Sequence, residues 1–371
     1  MKILQIIDSL RMGGAQKLLT VFTEEAQRRG HVIEVVTLMD YKKDSAIFDD
    51  LEKQSVLVKC FPLKNLGDIS SIKNLIRFIK GSKPDIIHTQ LNYANIVGTW
   101  SAHKSAIPSV ASLHNASIHL FKERRYRTWL ETWMLKFYSR RVIACGHTVA
   151  KVQQPRFKSR TLDVIPNPVP PLKEVTSIEA YDFRAKFLPD SNGILLVAIG
   201  RLIPEKGYPD MLKAMQKVQE YAPTEYKLVV AGSGPLLGQL QDTAKKLGLE
   251  KHIRFIGQRK DVPAILAAAD IYISSSLFEG QSIAVLEAMA AGLPVIATEV
   301  GDNKDVISPD CGILVSAGQP EQMAEKILWL MNNSSERSEL GRNAVQKVKK
   351  DHSPSLWADR LLSLYQVVLD E

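Results

Sequence analysis

Glu279 and Glu287 stand eight positions apart in FEGQSIAVLEAMAAGLPV, residues 278–295, and two carboxylates framed in this way can hold a sugar. Carboxylates grip hydroxyl groups through charge-assisted hydrogen bonds. Gly280 lets the backbone come close to a ligand that a side chain would hold off. Ser282 is placed to cap a helix beginning near Ile283, so that the first helical amides point at whatever occupies the loop. Such a helix start is an anion site, most often for phosphate. A phosphate cradle between two hydroxyl-binding acids suits a sugar nucleotide. A bare pair of Glu at this spacing is common by chance, one on a surface and one on a helix; the Gly/Ser/Ala/Pro frame is not.

Arg201 and Lys206 lie in GRLIPEKG, residues 200–207, where Pro204 and Gly207 imply a turn that sends both cations one way. Breaking a sugar–phosphate bond leaves negative charge on a nucleoside diphosphate, and two fixed cations stabilise it without a metal. No DxD-type carboxylate motif stands in a fitting place, so neither metal nor cofactor is expected. Taken alone, the two are as readily exposed surface cations. Gly13-Gly14 by itself is a tight turn; it is not the GxGxxG dinucleotide fingerprint. Gly232-Ser233-Gly234 is equally unspecific and is expected to shape the wall of a site. His114 ends an apolar run, and a lone histidine is more often a structural hydrogen-bonder than a catalyst. His88 and His119 have less support.

These residues need strands to carry them. The apolar runs 3–7, 32–38, 85–89, 108–114 and 141–145 alternate with amphipathic segments, the pattern of a parallel α/β sheet. VIPNPVPPLKEV, residues 164–175, holds four prolines in six residues and predicts a stiff connector at a domain boundary. Alternation resumes at 193–200, 227–234, 252–257, 270–276, 293–301 and 312–318. Two doubly wound domains follow, 1–170 and 171–353, and the segment 354–371 is amphipathic. In open α/β sheets ligands bind beyond the carboxyl ends of the strands. Gly13, His114, Arg201 and Glu279 all fall at such ends.

At 371 residues, two domains are the natural expectation. Cys60, Cys145 and Cys311 are odd in number and widely spaced, which argues against a disulfide framework or structural zinc and fits a reducing cytoplasm. Asp8 breaks the first apolar run, so MKILQIIDSL reads as a strand rather than a signal peptide. No stretch approaches the roughly 20 apolar residues of a membrane helix. Residues 119–160 hold eleven Lys and Arg against two Glu, more than the whole chain's net charge of +8. That patch can meet anionic lipid or an acidic acceptor. Nucleic acid is not expected, because no recognised module accompanies the charge. Tyr126, Trp129, Leu130, Trp133, Met134, Phe137 and Tyr138 recur at helical spacing and are expected to be mostly core, leaving Lys122, Arg124, Arg125 and Arg127 as the outward cations.

The FEG…LEAMAAGLPV block resembles the E-x7-E element of the retaining family-4 glycosyltransferases (glycosyl transferases group 1). Gly13-Gly14-Ala15, His114 and GRLIPEKG agree in order and spacing, so the resemblance covers nearly the whole chain. It implies the GT-B fold, two Rossmann-like domains facing across a cleft, with the acceptor on the first, the nucleotide sugar on the second, and the segment 354–371 returning as a helix to the first. Glu287 is then implied to bind ribose and Glu279 a hexose hydroxyl. The amides of Gly280, Gln281, Ser282 and Ile283 would contact sugar and phosphate, and the Gly14 amide the diphosphate. His114 would orient the donor sugar, Arg201 and Lys206 would clamp the leaving group, and Arg259 would lie near the base. The implied reaction is metal-independent transfer of a hexose, from UDP-glucose or next GDP-mannose, to a saccharide or lipid-linked acceptor held by residues 89–95 and the basic patch. Two departures stand out: Asn167-Pro168 replaces a common Asn-Gly at the hinge, and Asp305 in GDNKDVI stands where the family often has Glu. A GT-B nucleotide-sugar epimerase and a silent nucleotide-binding subunit are the alternatives. The Arg201–Lys206 clamp argues against the first, and the intact set of four charged residues against the second.

Overall fold

Every apolar run singled out in the sequence becomes a strand. The computed structural model describes all residues except Met12, 41–44, 115–124, Ser159 and 190–192. It divides into two units, Met1–Pro170 with Ser353–Glu371, and Pro171–His352.

The first unit holds a parallel sheet of β1 (Lys2–Ile7), β2 (Val32–Thr37), β3 (Leu57–Cys60), β4 (Ile86–Gln90), β5 (Ser109–Leu113), β6 (Arg141–Ala144) and β7 (Asp163–Val164), in the order β3-β2-β1-β4-β5-β6-β7. Its central strands are buried throughout because helices cover both faces. The edge strands β3 and β7 have no counterpart among the expected strands. β3 alternates exposed and half-buried residues, and β7 is two residues long, so neither leaves an apolar run to detect.

The helix Pro354–Asp370 packs on the first unit, its start capped by Ser353, whose hydroxyl accepts from Leu356 N at 3.3 Å. Trp357 and Tyr365 meet Phe22 of the helix Gly14–Arg28 edge-on, at 5.9 and 5.8 Å between ring centres. The Tyr365 hydroxyl lies 2.6 Å from His88 Nδ1, and His88 Nε2 lies 2.7 Å from Ser112 Oγ. Gln90 Nε2 donates to Gln5 Oε1 at 3.0 Å beside them. The sheet centre is therefore tied to the last helix by a buried polar chain. Burial pushes the His88 imidazole down from 6.5 to about 3. Between those two pH values only the unfolded chain takes up the proton, so this group makes stability fall as the pH falls. Asp8, raised from 3.8 to about 6 by burial, works in the opposite sense. Melting temperatures of the intact protein and of His88→Gln, followed from pH 7 to pH 4, are expected to converge as the pH drops.

The helix Arg125–Tyr138 departs from expectation. Glu131 and Leu135 are buried, and Leu130 and Met134 pack partly against the core, while Tyr126, Trp129, Trp133 and Phe137 are exposed. The polar interior decides which face turns inward. Glu131 receives Asn95 Nδ2 at 3.0 Å and Arg156 Nη2 at 2.7 Å, and it must be buried to do so. Lys122, Arg124 and His119 lie outside the described residues. The expected acceptor surface at 89–95 is also narrower: Thr89, Gln90, Ala94 and Asn95 are buried, with Thr89 Oγ1 donating to Asn95 Oδ1 at 2.9 Å. Leu91, Asn92 and Tyr93 reach the surface in part. The proline connector is not a loose spacer, because Ile165, Asn167 and Val169 are buried and the Asn167 amide bonds to Cys145 O at 3.3 Å.

The second unit holds a parallel sheet of β8 (Ile194–Ile199), β9 (Tyr226–Ala231), β10 (Ile253–Phe255), β11 (Ile271–Ser274), β12 (Val295–Thr298) and β13 (Gly312–Val315), in the order β10-β9-β8-β11-β12-β13. One core under this sheet gathers residues from Ile194 to Leu340.

Candidate functional site

The strand order of the second sheet reverses between β8 and β11. Chains leaving these two neighbours diverge and open a crevice at their carboxyl ends. Gly200-Arg201 follow β8, and the loop 275–282 follows β11. Three bonds stitch the two segments together: Ser275 Oγ donates to Lys206 O at 2.9 Å, and the Leu277 and Phe278 amides donate to Glu205 O at 2.8 and 3.3 Å. Gly207 has φ of +61°, and a methyl group there would lie 2.0 Å from Ser275 O. Only glycine permits this approach, which brings Lys206 beside the loop. The segment 232–234 walls the other side, with Leu202 N donating to Ser233 O at 2.9 Å.

Lys206 Nζ pairs with Glu279 Oε1, and Ser276 Oγ donates to the same oxygen at 2.8 Å. Their side chains are 19% and 12% exposed, so the pair is poorly screened by water. An ammonium has three N–H bonds, and pairing with Glu279 leaves others for a ligand. Thr298 Oγ1 holds Ser276 O at 2.5 Å. Tyr208 donates to Gly200 O and Tyr272 to Ile199 O, each at 3.2 Å. Burial raises both phenols well above their ordinary range, and the charge of Glu279 adds to the effect on each; Glu287 adds to it on Tyr272. Both tyrosines stay protonated as a rigid floor.

Gly280, Gln281 and Ser282 lead into the helix Ile283–Ala290, which carries Glu287, 5% exposed, on its inward face. Ser282 occupies the capping position but makes no side-chain bond to the first amides, contrary to expectation. It lines a small pocket with Lys206, Tyr208, Tyr272 and Ser276 instead. The first amides, which have no partner within their own helix, are thereby left without a serine cap. Gly301, at φ +58°, backs the loop: a methyl group there would stand 2.4 Å from Gly280 O. The Asp302 amide bonds to that oxygen at 2.9 Å. Asp302 is buried here, whereas Asp305, the acid singled out in the sequence, is exposed.

Arg201 is exposed, at the start of the turn that carries Lys206. Arg259 is clasped by Asp261, Nε to Oδ1 at 2.8 Å and Nη2 to Oδ2 at 2.6 Å, so its guanidinium is already engaged. In the first unit, Gly13 stands in extended conformation before the helix Gly14–Arg28, whose first turn has neither a side-chain cap nor an acid. His114 follows β5 half-buried, with Nε2 enclosed and unbonded among the described residues. Burial lowers it to about 4, so at neutral pH it is an uncharged imidazole. No sequence motif singles out Ser276, Tyr208, Tyr272 and Asp302; the serine run after β11 and the Gly-Asp before a short helix are the signals that point toward them. Asp8, read merely as a break in an apolar run, accepts the Ala94 amide at 2.7 Å and the Tyr93 amide at 3.3 Å.

Two family models match the chain, Glycosyltransferase Family 4 over residues 12–171 and Glycosyl transferases group 1 over residues 180–347. The UDP-Gal:alpha-D-GlcNAc-diphosphoundecaprenol alpha-1,3-galactosyltransferase of Escherichia coli is 27% identical over 335 residues, 84% of each chain. The alpha-monoglucosyldiacylglycerol synthase of Streptococcus pneumoniae is 25% identical over 305 residues, 77% of this chain and 68% of that one. Among solved structures, Anabaena Alr3699/HepE in complex with UDP and glucose superposes with a TM-score of 0.85 at 20% identity, covering 99% of this chain and 100% of that one. With two α/β units of parallel sheet and family models matching along both, this chain belongs to the family-4, group 1 glycosyltransferases of GT-B fold.

Proposed function

We propose that this glycosyltransferase moves a hexose from a UDP-glucose-type nucleotide sugar to a saccharide or lipid-linked acceptor with retention of anomeric configuration, and that no metal takes part. GDP-mannose is the next candidate donor. The observation that carries the reading is the Lys206–Glu279–Ser276 cluster beside an uncapped helix N-terminus at the strand-order reversal. The amides from Gly280 to Ile283 take the diphosphate, Glu279 a hexose hydroxyl and Glu287 the ribose. Lys206 and Arg201 receive the charge that develops on the departing phosphate. The bond from C1 of the hexose to the diphosphate oxygen breaks while an acceptor oxygen bonds C1 on the same face. The acceptor's proton passes to the departing phosphate, giving a glycosylated acceptor and a nucleoside diphosphate. This differs from the two-carboxylate chemistry of glycosidases. On the first unit, Gly13-Gly14 and the neutral His114 are assigned to the diphosphate and the donor sugar. Arg259, already paired, contributes through its loop to the base rather than as a free cation.

The E. coli relative is named for a lipid-linked acceptor and the S. pneumoniae relative for a glycolipid product, and the Anabaena structure contains UDP and glucose; these support the donor and acceptor classes chosen. Assembly of a surface glycan at the cytoplasmic face of a membrane is the setting that fits. Among the described residues no helix is long and apolar enough to cross a membrane. Transfer from radiolabelled UDP-glucose to lipid-extracted acceptor, with and without excess EDTA, tests the reading. Undiminished transfer in EDTA is expected; a strict metal requirement would refute the cation clamp.

A further inference from the structure

A cavity of about 520 Å³ opens at the amino ends of β5, β6 and β7, the end of the first sheet opposite to Gly13 and His114. Since β5 has five residues and runs for about 17 Å, this place is distinct from the strand ends assigned to the donor. Four stretches of chain line it. His103 closes the helix Thr99–Lys104, Phe137, Tyr138 and Arg140 stand where the helix Arg125–Tyr138 runs into β6, Arg160 precedes β7, and Glu371 follows the helix Pro354–Asp370. The charged groups of both signs are fixed. Arg160 donates through Nη1 to Leu135 O and through Nη2 to Ser139 O, each at 2.7 Å, satisfying carbonyls that the helix end leaves free. Glu371 pairs with Arg141, and Arg140 is exposed at the rim. The rings are fixed too. Tyr138 is wedged edge-on between Trp100 and Trp133, 5.4 Å from each ring centre, with the His103 ring 4.5 Å away. Phe137 beside them is 61% exposed.

We propose that this cavity is a second saccharide site, which takes a neutral stretch of glycan away from the reacting hydroxyl. The mixed charge selects the ligand class. A fixed carboxylate repels a phosphate or an acidic sugar, and fixed guanidinium groups repel an amine. A hydroxyl both donates and accepts, so a polyol satisfies Arg140 and Glu371 at once through charge-assisted hydrogen bonds. The faces of a sugar ring carry C–H bonds that pack on Phe137, Tyr138 and His103, while the hydroxyls at the ring edge reach the polar rim. The volume falls within the roughly 300–1,000 Å³ of small-molecule sites. Only the origin of the saccharide rests on the transfer reaction proposed above; the binding needs no donor. A glycan held here and at the reacting hydroxyl together is bound more tightly than by either site, because the second contact becomes intramolecular.

Immobilised gluco-, galacto- and manno-oligosaccharides and their sulfated counterparts provide the test, at a salt concentration that screens the chain's net charge. The intact chain is expected to be retained on at least one neutral series, and excess UDP is expected not to release it. The double substitution Phe137→Ala, Arg140→Ala should weaken retention at least tenfold, as should Glu371→Gln, with the melting temperature and UDP-glucose binding unchanged in both. Failure to retain any neutral series overturns the proposal, as does retention of both variants like the intact chain. A preference for the sulfated series overturns it as well, since it makes the cavity an anion site. Retention without nucleotide binding would leave this proposal standing and remove the functional reading; hexose transfer without retention would do the reverse.

Discussion

Lys206→Ala is expected to lower the turnover number for hexose transfer by about 100- to 1,000-fold, the cost of about 2.7–4 kcal/mol typical of losing one preorganised group that meets developing charge. Lys206 is delivered by a fixed turn, closed by Gly207 against Ser275, and costs no reorganisation when the phosphate departs. Its pairing with Glu279 belongs to the proposed reading, because each charge holds the other in place. Removing the ammonium also leaves a carboxylate unpaired beside the donor, so KM should rise as well, though by a smaller factor. Lys206→Arg is not a conservative rescue, since a planar fork replaces a point charge. Steady-state kinetics together with a denaturation curve separate the outcomes. A turnover number within a few-fold of normal, with lowered stability, would make the pair a staple between two loops and no more.

Glu287→Ala is expected to weaken binding of UDP-glucose roughly 10- to 150-fold, the range of about 1.5–3 kcal/mol for hydrogen bonds to a charged group. The helix Ile283–Ala290 fixes this carboxylate, buried at its inward face and close enough to Tyr272 for its charge to be felt there. Burial also means that truncation can disturb packing. Glu287→Gln, which keeps shape and loses charge, is expected to fall between the two. Calorimetric titration reads both, and unaltered affinity in both variants would remove Glu287 from the nucleotide site.

Much of this architecture is legible in the chain because parallel strands buried on both faces leave continuous apolar runs, as ILQII and ILLVAI do. β3 and β7, at or near the sheet edge and four and two residues long, leave none. The charged residues of the site are visible through their glycine and proline frame, since Gly207 is demanded by its close approach to Ser275. Their supports were not visible. Tyr272 and Asp302 act through tertiary contacts that no local pattern encodes. The helix Arg125–Tyr138 misleads for a related reason: its periodicity announces an apolar face, but Glu131 and Arg156 determine which face is buried.

Thermal unfolding of the intact chain in the presence of UDP-glucose, UDP, GDP-mannose and GDP, repeated for Glu287→Ala, is the most direct measurement. A ligand at 100 times its dissociation constant adds about 2.7 kcal/mol to stability, a shift easily read. The account predicts selective stabilisation by UDP-glucose and UDP, diminished in the variant. Absence of any shift with every nucleotide, or an equal shift in the variant, would contradict it.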